Sequence, residues 1–507
     1  MTSFSRIHHL LEHQAAHAPD AIALTTAHTG DVTFADWLAA SRDLAGKLRK
    51  AGVGAGHRVM LVAENSFTAA AGLIAASLLD AWSVPVNARL SAPEIERIRD
   101  HAQPAAMLFT HTVSDAARGH AQAANAHGIN VGPEPAMLAV RPQTVAEPVS
   151  KDADQVATLL YTTGTTGDPK GVMLTHANLI YGGQTSASHR EITSSDHIYA
   201  VLPLTHVFGL SSAFMAGLAV GARLELVPRF DAGVTFTALQ SRVSIFPAVP
   251  QMHALLMAHA SQCGLQELKP ERLRYISSGG APLDLAWKQK VEAFFGLPLF
   301  NGYGMTEATA GIAATRPGAT RADTSVGKML TDQEIHIDRP DEHGIGEIVI
   351  RGPNIMAGYY RNQAATAEVL DTDGWLRTGD LGYLDEHGNL HITGRAKELI
   401  IRSGFNVYPL EVEAALNQHP QVVQAAVIGH SIDGNEDIVA FIQPLADIDL
   451  TPNELKTHLN DHLAAYKHPT RWIISDKLPA APSGKILKAR LTSVFASQLA
   501  SSAKQQA

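Results

Sequence analysis

Short apolar runs recur along the chain and alternate with longer segments in which alanine and leucine predominate. Runs of this length and composition predict buried strands, and they cover residues 59–63, 106–109, 156–160, 224–227 and 273–276. The segment 69–79 is typical of a helix. Because strands that alternate with helices form parallel sheets covered by helices, the pattern predicts an α/β fold.

The pattern changes twice in the second half of the chain. Residues 335–350 contain short strand-like runs around the turn signal Asp341-Glu-His-Gly344, which predicts a small β-rich subdomain. Further on, strands are predicted at 422–429 and 438–442, and an amphipathic helix at 455–466.

A domain boundary is therefore predicted just after Arg395. The expected architecture is a large N-terminal domain, residues 1–395, with parallel sheets flanked by helices and the β subdomain. A small, mobile α+β domain, residues 396–507, would follow it.

The composition narrows the class of protein. A chain of 507 residues is too long for one compact core, and 45% hydrophobic residues with 18% charged residues are typical of globular proteins. The net charge of -9 argues against a nucleic-acid-binding protein, so anionic ligands would need local basic groups. Cys263 is the only cysteine, which excludes an internal disulfide. No apolar run reaches the roughly 18 residues of a membrane span, so we expect a cytoplasmic protein without integral membrane association.

The segment Tyr161-Thr-Thr-Gly-Thr-Thr-Gly-Asp-Pro-Lys-Gly171 follows a predicted buried strand and is rich in glycine and threonine. Glycine lets the backbone approach a ligand closely, and hydroxyl and N–H groups donate to oxyanions. This chemistry favours a loop that holds a polyphosphate. The P-loop pattern of kinases and GTPases fails, because Pro169 stands five residues after Gly164 where that pattern requires glycine. Taken alone, the loop would be better explained as a flexible hydrophilic turn, because isolated motif matches are often fortuitous.

Seven further motifs follow the loop, and together they resemble the AMP-forming acyl-CoA synthetases of the adenylate-forming superfamily over nearly the whole chain. The motifs are Leu202-Pro-Leu-Thr-His-Val-Phe-Gly209, Ser278-Gly-Gly-Ala-Pro-Leu283, Asn301-Gly-Tyr-Gly-Met-Thr-Glu307, Gly374-Trp-Leu-Arg-Thr-Gly-Asp380, Gly394-Arg-Ala-Lys-Glu398, Ser403-Gly-Phe-Asn-Val-Tyr-Pro-Leu-Glu411 and Pro482-Ser-Gly-Lys-Ile-Leu-Lys488. The resemblance implies a two-step ligase. A carboxylate first attacks the α-phosphate of ATP and releases pyrophosphate, and the thiol of coenzyme A then takes the acyl group and releases AMP.

The resemblance also implies roles for the nucleotide-binding motifs. Thr306 would donate to the α-phosphate, and Glu307 would bind Mg2+. Tyr303 would stack on adenine while Asn301 reads its edge, and Asp380 would accept hydrogen bonds from the two ribose hydroxyls. The full expected ATP- and AMP-binding set is Thr162, Thr163, Gly164, Thr165, Thr166, Gly167, Lys170, Gly280, Ala281, Pro282, Asn301, Gly302, Tyr303, Gly304, Met305, Asp380 and Arg395.

The C-terminal motifs imply a change of domain orientation between the two steps. Lys485 would bridge the acid and the α-phosphate during adenylation, and Lys397 would be the hinge. The coenzyme A channel would then be formed by Ser403, Gly404 and Phe405. Lys488 is expected to be a surface residue.

The acid pocket is expected beside the second motif, and its lining decides the substrate. The implied walls are Val207, Phe208, Gly209, Val249, Pro250, Ser278 and Gly279, with Met305 and the small residues 308–314. This set contains no fixed cation, which disfavours an amino acid or a dicarboxylate. A medium- or long-chain fatty acid is the leading interpretation, and an aryl acid such as a benzoate or cinnamate is the alternative. His206 would either act as a gate, as the resemblance implies, or simply pack.

Other function classes stay open at this point. The same scaffold would suit a stand-alone enzyme that loads a carrier protein, or a luciferase-like oxygenase. A kinase or GTPase is the unrelated alternative, which forms ADP or GDP rather than AMP. Whether the chain forms a homodimer is also left open.

Overall fold

The structure is a computed structural model that describes residues 4–141, 144–163, 169–280, 283–318, 322–402, 405–432, 435–446, 448–480 and 486–499. Numbered in chain order, its strands are β1 (Ile22–Thr26), β2 (Gly30–Thr33), β3 (Arg58–Ala63), β4 (Trp82–Asn87), β5 (Ala106–Phe109), β6 (His127–Val131), β7 (Glu134–Val140), β8 (Val156–Thr163), β9 (Pro169–Thr175), β10 (His197–Ala200), β11 (Arg223–Leu226), β12 (Ile245–Ala248), β13 (Tyr275–Gly279), β14 (Leu299–Met305), β15 (Ala310–Ala314), β16 (Lys328–Met329), β17 (Glu334–Asp338), β18 (Gly346–Arg351), β19 (Gly358–Tyr359), β20 (Leu376–Leu384), β21 (Leu390–Arg395), β22 (Ile400–Arg402), β23 (Phe405–Val407), β24 (Val422–Ile432), β25 (Asn435–Pro444) and β26 (Arg471–Ile474).

The α-helices are α1 (Ile7–His17), α2 (Phe34–Lys50), α3 (Phe67–Leu78), α4 (Ala92–Ala102), α5 (Asp115–Ala123), α6 (His176–His189), α7 (Ala216–Val220), α8 (Ala232–Ser241), α9 (Pro250–Gln262), α10 (Leu285–Phe295), α11 (Gln363–Val369), α12 (Pro409–Asn417), α13 (Pro452–Asn460) and α14 (Lys488–Val494). A π-helix covers Phe208–Met215, and short 3-10 helices cover Thr306–Ala308, Ala396–Glu398 and Ala465–Lys467. None of the helices in the described ranges is long and apolar enough to cross a membrane.

Two large mixed sheets form most of the N-terminal part of the molecule. The first has the strand order β16-β15-β14-β13-β12-β10-β11-β1-β2, and the second has the order β19-β9-β8-β4-β3-β5-β7-β6. The central strands of both sheets are parallel, which confirms the α/β prediction. The edges are antiparallel hairpins, such as β8 with β9 and β14 with β15, and the sequence pattern had not predicted them.

Helices cover both faces of each sheet. The largest core contains side chains from both sheets and from α1, α2, α3, α6 and α7, so these helices lie between the sheets. Every residue of α3 from Phe67 to Ser77 is buried, as expected for a helix enclosed on all sides. The Ser66 hydroxyl caps this helix by accepting a hydrogen bond from the Ala69 N–H. Helices α4 and α5 cover the outer face of the second sheet, and α8, α9 and α10 cover that of the first.

The predicted β subdomain is a four-stranded antiparallel sheet in the order β17-β18-β20-β21. The turn predicted at Asp341 joins β17 to β18, and the Gly344 N–H donates to the Asp341 carbonyl at 2.9 Å. Strands β20 and β21 pair so that Asp380 lies opposite Arg395. This register brings two expected nucleotide-binding residues together.

The C-terminal part is a three-stranded sheet, β24-β25-β26, with helices on both faces. Helices α12 and α13 pack on one face and α14 on the other. The helix predicted at 455–466 is instead α13, which begins at Pro452 and ends at Asn460. It begins earlier because Thr451 and Glu454 form a capping box.

The domain boundary proposed after Arg395 stays a prediction. Leu390 is the last fully buried residue of the N-terminal core, and Ile400 is the first of the C-terminal core. The 3-10 helix at residues 396–398 lies between them and has no buried residue.

Candidate functional site

A cavity of about 1570 Å³ opens where the carboxyl ends of β13 and β14 meet the β8–β9 hairpin and the C-terminal domain. Ligands of open α/β sheets characteristically bind at the carboxyl ends of the strands. The expected site residues that line it are Thr162, Lys170, His206, Val207, Phe208, Val249, Ser278, Gly279, Gly280, Asn301, Gly302, Tyr303, Gly304, Met305, Thr306, Glu307, Arg395 and Lys397.

Outside the described residues lie Gly164, Thr165, Thr166, Gly167, Ala281, Pro282, Ser403, Gly404 and Lys485. For Thr163 and Phe405 only the backbone is described: Thr163 pairs with Pro169 across the β8–β9 hairpin, and Phe405 pairs with Arg402.

Asp380 lies beside the cavity and is held by two side chains. The Tyr303 hydroxyl donates to Asp380 Oδ2 at 2.6 Å, and Arg395 Nε lies 3.1 Å from Oδ1. Burial, together with the Asp380 charge, raises the pKa of Tyr303 well above its ordinary value, so Tyr303 is a neutral donor at neutral pH. The carboxylate is therefore oriented at the cavity edge, as a group that accepts hydrogen bonds from a diol must be.

Glu307 has a partner that sequence reasoning missed. The Tyr359 hydroxyl donates to Glu307 Oε1 at 2.8 Å, and Lys170 Nζ lies 4.8 Å from the centre of the Tyr359 ring. Burial and the nearby Glu307 raise the pKa of Tyr359, so it stays a donor. Tyr359 thus contacts both a cation and a carboxylate of the cavity wall, although it is 52 residues from Glu307 in sequence.

Asn301 is engaged differently from the expectation. Its amide nitrogen donates to the carbonyls of Thr324 and Ser325, at 3.0 and 3.4 Å, and its Oδ1 accepts from the Gly302 N–H. These bonds use both amide protons. The amide therefore holds the loop at Thr324 in place instead of presenting donors to an adenine edge.

Two glycines of the site are required by geometry. A Cβ at Gly304 would lie 1.3 Å from the Ala310 carbonyl oxygen, so any side chain would break the β14–β15 pairing. Gly280 has a φ of +76°, a conformation that glycine adopts without strain. The backbone beside the nucleotide-binding motifs is thus shaped by residues that have no side chain.

His206 is exposed at the cavity wall just before the π-helix. Its Nδ1 accepts a hydrogen bond from the Phe208 N–H at 3.2 Å. Exposure does not fit the alternative in which His206 simply packs in a core. The π-helix itself was not predicted, and such distortions frequently occur at functional sites.

The acid-pocket residues divide into two groups. Val207, Phe208, Val249, Ser278 and Gly279 line the cavity, whereas Gly209 and Pro250 do not. The Gly209 backbone packs on the preceding loop, because a Cβ there would lie 2.2 Å from the carbonyl oxygen of Pro203.

The expected acid-pocket residues include no cation, but a cation outside that set lines the cavity next to β13. It is Arg190, the residue that caps the C-terminus of α6. It was missed because it lies outside every motif, and only the fold brings it next to β13.

Lys488 is not the surface residue that was expected. Its ammonium group pairs with Glu413 at 2.8 Å and with Glu398 at 2.9 Å, and only 20% of its side chain is exposed. Burial alone would lower the pKa of Lys488, but the two carboxylates more than offset this effect and raise it. Lys488 therefore joins α14 to α12 and to the segment that follows the expected hinge, Lys397.

Comparison with known proteins agrees with this site. Residues 11–360 match the family described as AMP-binding enzyme, and residues 411–485 match its C-terminal domain. A 4-coumarate–CoA ligase of Oryza sativa subsp. japonica is 32% identical over 95% of this chain and 91% of its own length. A 2-succinylbenzoate–CoA ligase of Bacillus licheniformis is 33% identical over 95% of this chain and 98% of its own length.

The fold agrees equally well with solved structures. The o-succinylbenzoate CoA synthetase of Bacillus subtilis, in complex with its acyl-adenylate intermediate, has a TM-score of 0.81 and 30% identity, over 95% of this chain and 97% of that one. The same enzyme has been solved with ATP and a magnesium ion. The chain therefore belongs to the AMP-binding enzyme family and is an AMP-forming acid–CoA ligase of the adenylate-forming superfamily.

Proposed function

We propose that this ligase activates an aryl carboxylic acid with ATP and transfers the resulting aryl-acyl group to coenzyme A. The observation that carries the proposal is the aromatic and apolar wall beside the expected position of the reacting carboxylate. The Phe208 ring packs directly against Gly279, because a Cβ there would lie 3.0 Å from it, and Val207 and Val249 line the same cavity. A planar aryl acid suits a wall that presents an aromatic ring.

The pocket also has a limited length. It follows β13 from Gly279 down to Tyr275, four residues that span roughly 13 Å at about 3.3 Å per residue. A cinnamate with a substituent on its ring is about this long, whereas a long acyl chain exceeds it. The two relatives described above are named as ligases of aryl acids. Their names also favour an aryl acid over a fatty acid as the substrate.

In the first step, two anions must meet, so the site has to neutralise charge. Lys170 would face the departing pyrophosphate, and Thr306 would donate to the α-phosphate. Asp380, oriented by Tyr303 and Arg395, would hold the ribose hydroxyls. The Lys485 side chain would bridge the acid and the α-phosphate, and it is needed only for this step.

The residues present fit a magnesium ion. Glu307 supplies a carboxylate oxygen, and Mg2+ in such sites is held by one or two carboxylates and the substrate phosphates. Glu307 would hold the ion with its carboxylate positioned by Tyr359. When bound, the ion would neutralise phosphate charge during the displacement.

In the second step, rotation about Lys397 would withdraw Lys485 and bring the loop at 403–405 to the cavity. The absence of a Cβ at Gly404 would leave room for the pantetheine arm. His206, exposed at the wall, would separate the acid from the thiol until this change occurs. Carrier-protein loading is the second candidate, and the names of the relatives favour coenzyme A over it.

Pyrophosphate release from MgATP across matched acids tests the proposal. We expect release with 4-coumarate and related cinnamates, and sustained AMP formation once coenzyme A is added. Octanoate and palmitate serve as the comparison set. Release that depends on those fatty acids, with none on cinnamates or benzoates, would overturn the aryl assignment.

A further inference from the structure

We infer that Arg190 forms the far end of the acid pocket and selects an acid that carries a second anionic group there. The inference rests on the proposed function, since it names the substrate class of the same site. It reverses the expectation that a pocket without a cation would disfavour a doubly charged acid.

Arg190 lies at the end of the pocket opposite the nucleotide. The pocket follows β13, and Tyr275 at the start of that strand contacts Arg190: the guanidinium carbon lies 5.8 Å from the centre of the Tyr275 ring. Arg190 itself lines the cavity. A substrate whose reacting carboxylate lies beside Gly279 would therefore direct its far end toward Arg190.

The guanidinium is held in position before any ligand arrives. Arg190 Nη1 donates to the Ser212 carbonyl in the π-helix. The Tyr275 ring, against which Arg190 lies, stacks in turn on Phe300 with a centroid distance of 4.5 Å. Arginine stacks well on aromatic faces while its edge still offers donors to a carboxylate or a similar anion. The arrangement thus orients the cation and leaves part of its donor edge for a ligand.

No carboxylate of the described residues forms an ion pair with Arg190 within 4.0 Å. Nearby Arg274 differs, because it pairs with Asp196 at 2.7 Å. Arg190 is also half-buried, and a cation withdrawn from water is stabilised by an anion.

The neighbouring groups do not supply that anion. His189 lines the same part of the cavity, and its Nε2 contacts the Thr315 carbonyl at 3.0 Å. Burial lowers the pKa of His189, so its imidazole is neutral at neutral pH. The far end of the pocket is therefore polar and positively charged, while the walls nearer the reacting carboxylate are apolar. An aryl acid with an anionic substituent at its far end matches this polarity.

The test uses two acids of the same shape, 4-sulfocinnamate and 4-sulfamoylcinnamate. The sulfonate is anionic and the sulfonamide is neutral, and each acid has only one carboxyl group to activate. We expect wild-type kcat/KM for pyrophosphate release to favour the sulfonate by about ten- to a hundredfold, the range for a hydrogen bond to a charged group. The difference should lie mainly in KM.

Arg190→Met should abolish this preference, and Arg190→Lys should retain part of it. Arg274→Met is the matched control, because it removes a guanidinium near the same helix end that does not line the cavity. Its preference should equal that of the wild type, whatever its stability. A preference that survives Arg190→Met, or is absent from the wild type, would overturn the inference.

The design separates this inference from the proposed function. Equal turnover of both acids, with AMP formed on addition of coenzyme A, would refute the role of Arg190 and leave the aryl ligase intact. If neither acid is turned over, pyrophosphate release with 4-coumarate decides the aryl assignment separately, and calorimetric binding of the two acids decides the inference by itself. If wild type and Arg190→Met then bind 4-sulfocinnamate with equal affinity, the inference is overturned.

Discussion

Lys488→Met should destabilise the C-terminal domain by about 3 kcal/mol, because it leaves a buried carboxylate without its cation. Removing one partner of a buried ion pair costs about 3–5 kcal/mol. Glu413 is the buried partner, with 11% of its side chain exposed, whereas Glu398 is 39% exposed and contributes little. We take the low end of the range because water reaches part of the Lys488 side chain.

Hydrogen exchange detected by mass spectrometry measures this change within one domain of the intact enzyme. Amides of β24 and β25 should exchange about a hundredfold faster in Lys488→Met, since about 1.4 kcal/mol corresponds to a factor of ten. Amides of β3 and β4 provide an internal reference, because they belong to a different core.

Three variants define the cause of this effect. Lys488→Arg keeps the charge and should exchange much like the wild type. Lys456→Met removes an exposed lysine of α13 and should have no effect. Adding Glu413→Gln to Lys488→Met removes the unpaired charge and should restore more than half of the protection. Equal exchange in Lys488→Met and Lys456→Met would refute the reasoning.

Three more results are expected. Gly304→Ala should lower the thermal midpoint of unfolding sharply, because its Cβ would lie 1.3 Å from the Ala310 carbonyl oxygen. Gly302→Ala should not lower it, because the nearest atoms to a Cβ at Gly302 lie 3.7 Å away. Equal midpoints for the two variants would contradict the close approach of Gly304 to Ala310. Tyr359→Phe should raise the Mg2+ concentration needed for half-maximal pyrophosphate release by about tenfold, the loss expected when a ligand loses its orienting partner; an unchanged value would remove Tyr359 from the site. Burial opposes ionisation of Glu225, but hydrogen bonds from the His197 imidazole and the Arg242 guanidinium hold its pKa at about 2. The stabilisation that ionised Glu225 provides is therefore present above pH 4.5, its ordinary pKa, and is lost as the pH falls toward 2. The thermal midpoint of Glu225→Gln should consequently vary less with pH across that window than the midpoint of the wild type. Parallel midpoint curves for the two proteins would contradict the pairing.

The central strands could be predicted from the sequence because a strand buried on both faces is a continuous apolar run. The run 106–109 coincides with β5, and the run 59–63 lies within β3. The strand predicted at 273–276 begins two residues before β13 and ends three residues before it does, since the end of β13, Ser277-Ser-Gly279, is buried but not apolar. The predicted strand therefore stopped short of the residues that reach the cavity.

The site was predictable where motifs carry it and hidden where the fold alone assembles it. Glu307 and Tyr303 stand in a contiguous motif, and the structure brings both to the cavity. Tyr359 reaches Glu307 only because the short strand β19 pairs with β9. Arg190 caps a helix and carries no local signal of a ligand. Lys488 resembled a surface lysine because its two carboxylate partners are 75 or more positions away in sequence.

Product analysis tests the central claim most directly. The intact enzyme is incubated with MgATP, 4-coumarate and coenzyme A, and the products are separated and identified by mass spectrometry. The account predicts AMP, pyrophosphate and 4-coumaroyl-CoA in equal amounts, with no thioester when either ATP or the acid is omitted. Formation of ADP, or AMP release without an aryl-CoA thioester for any cinnamate or benzoate, would contradict it.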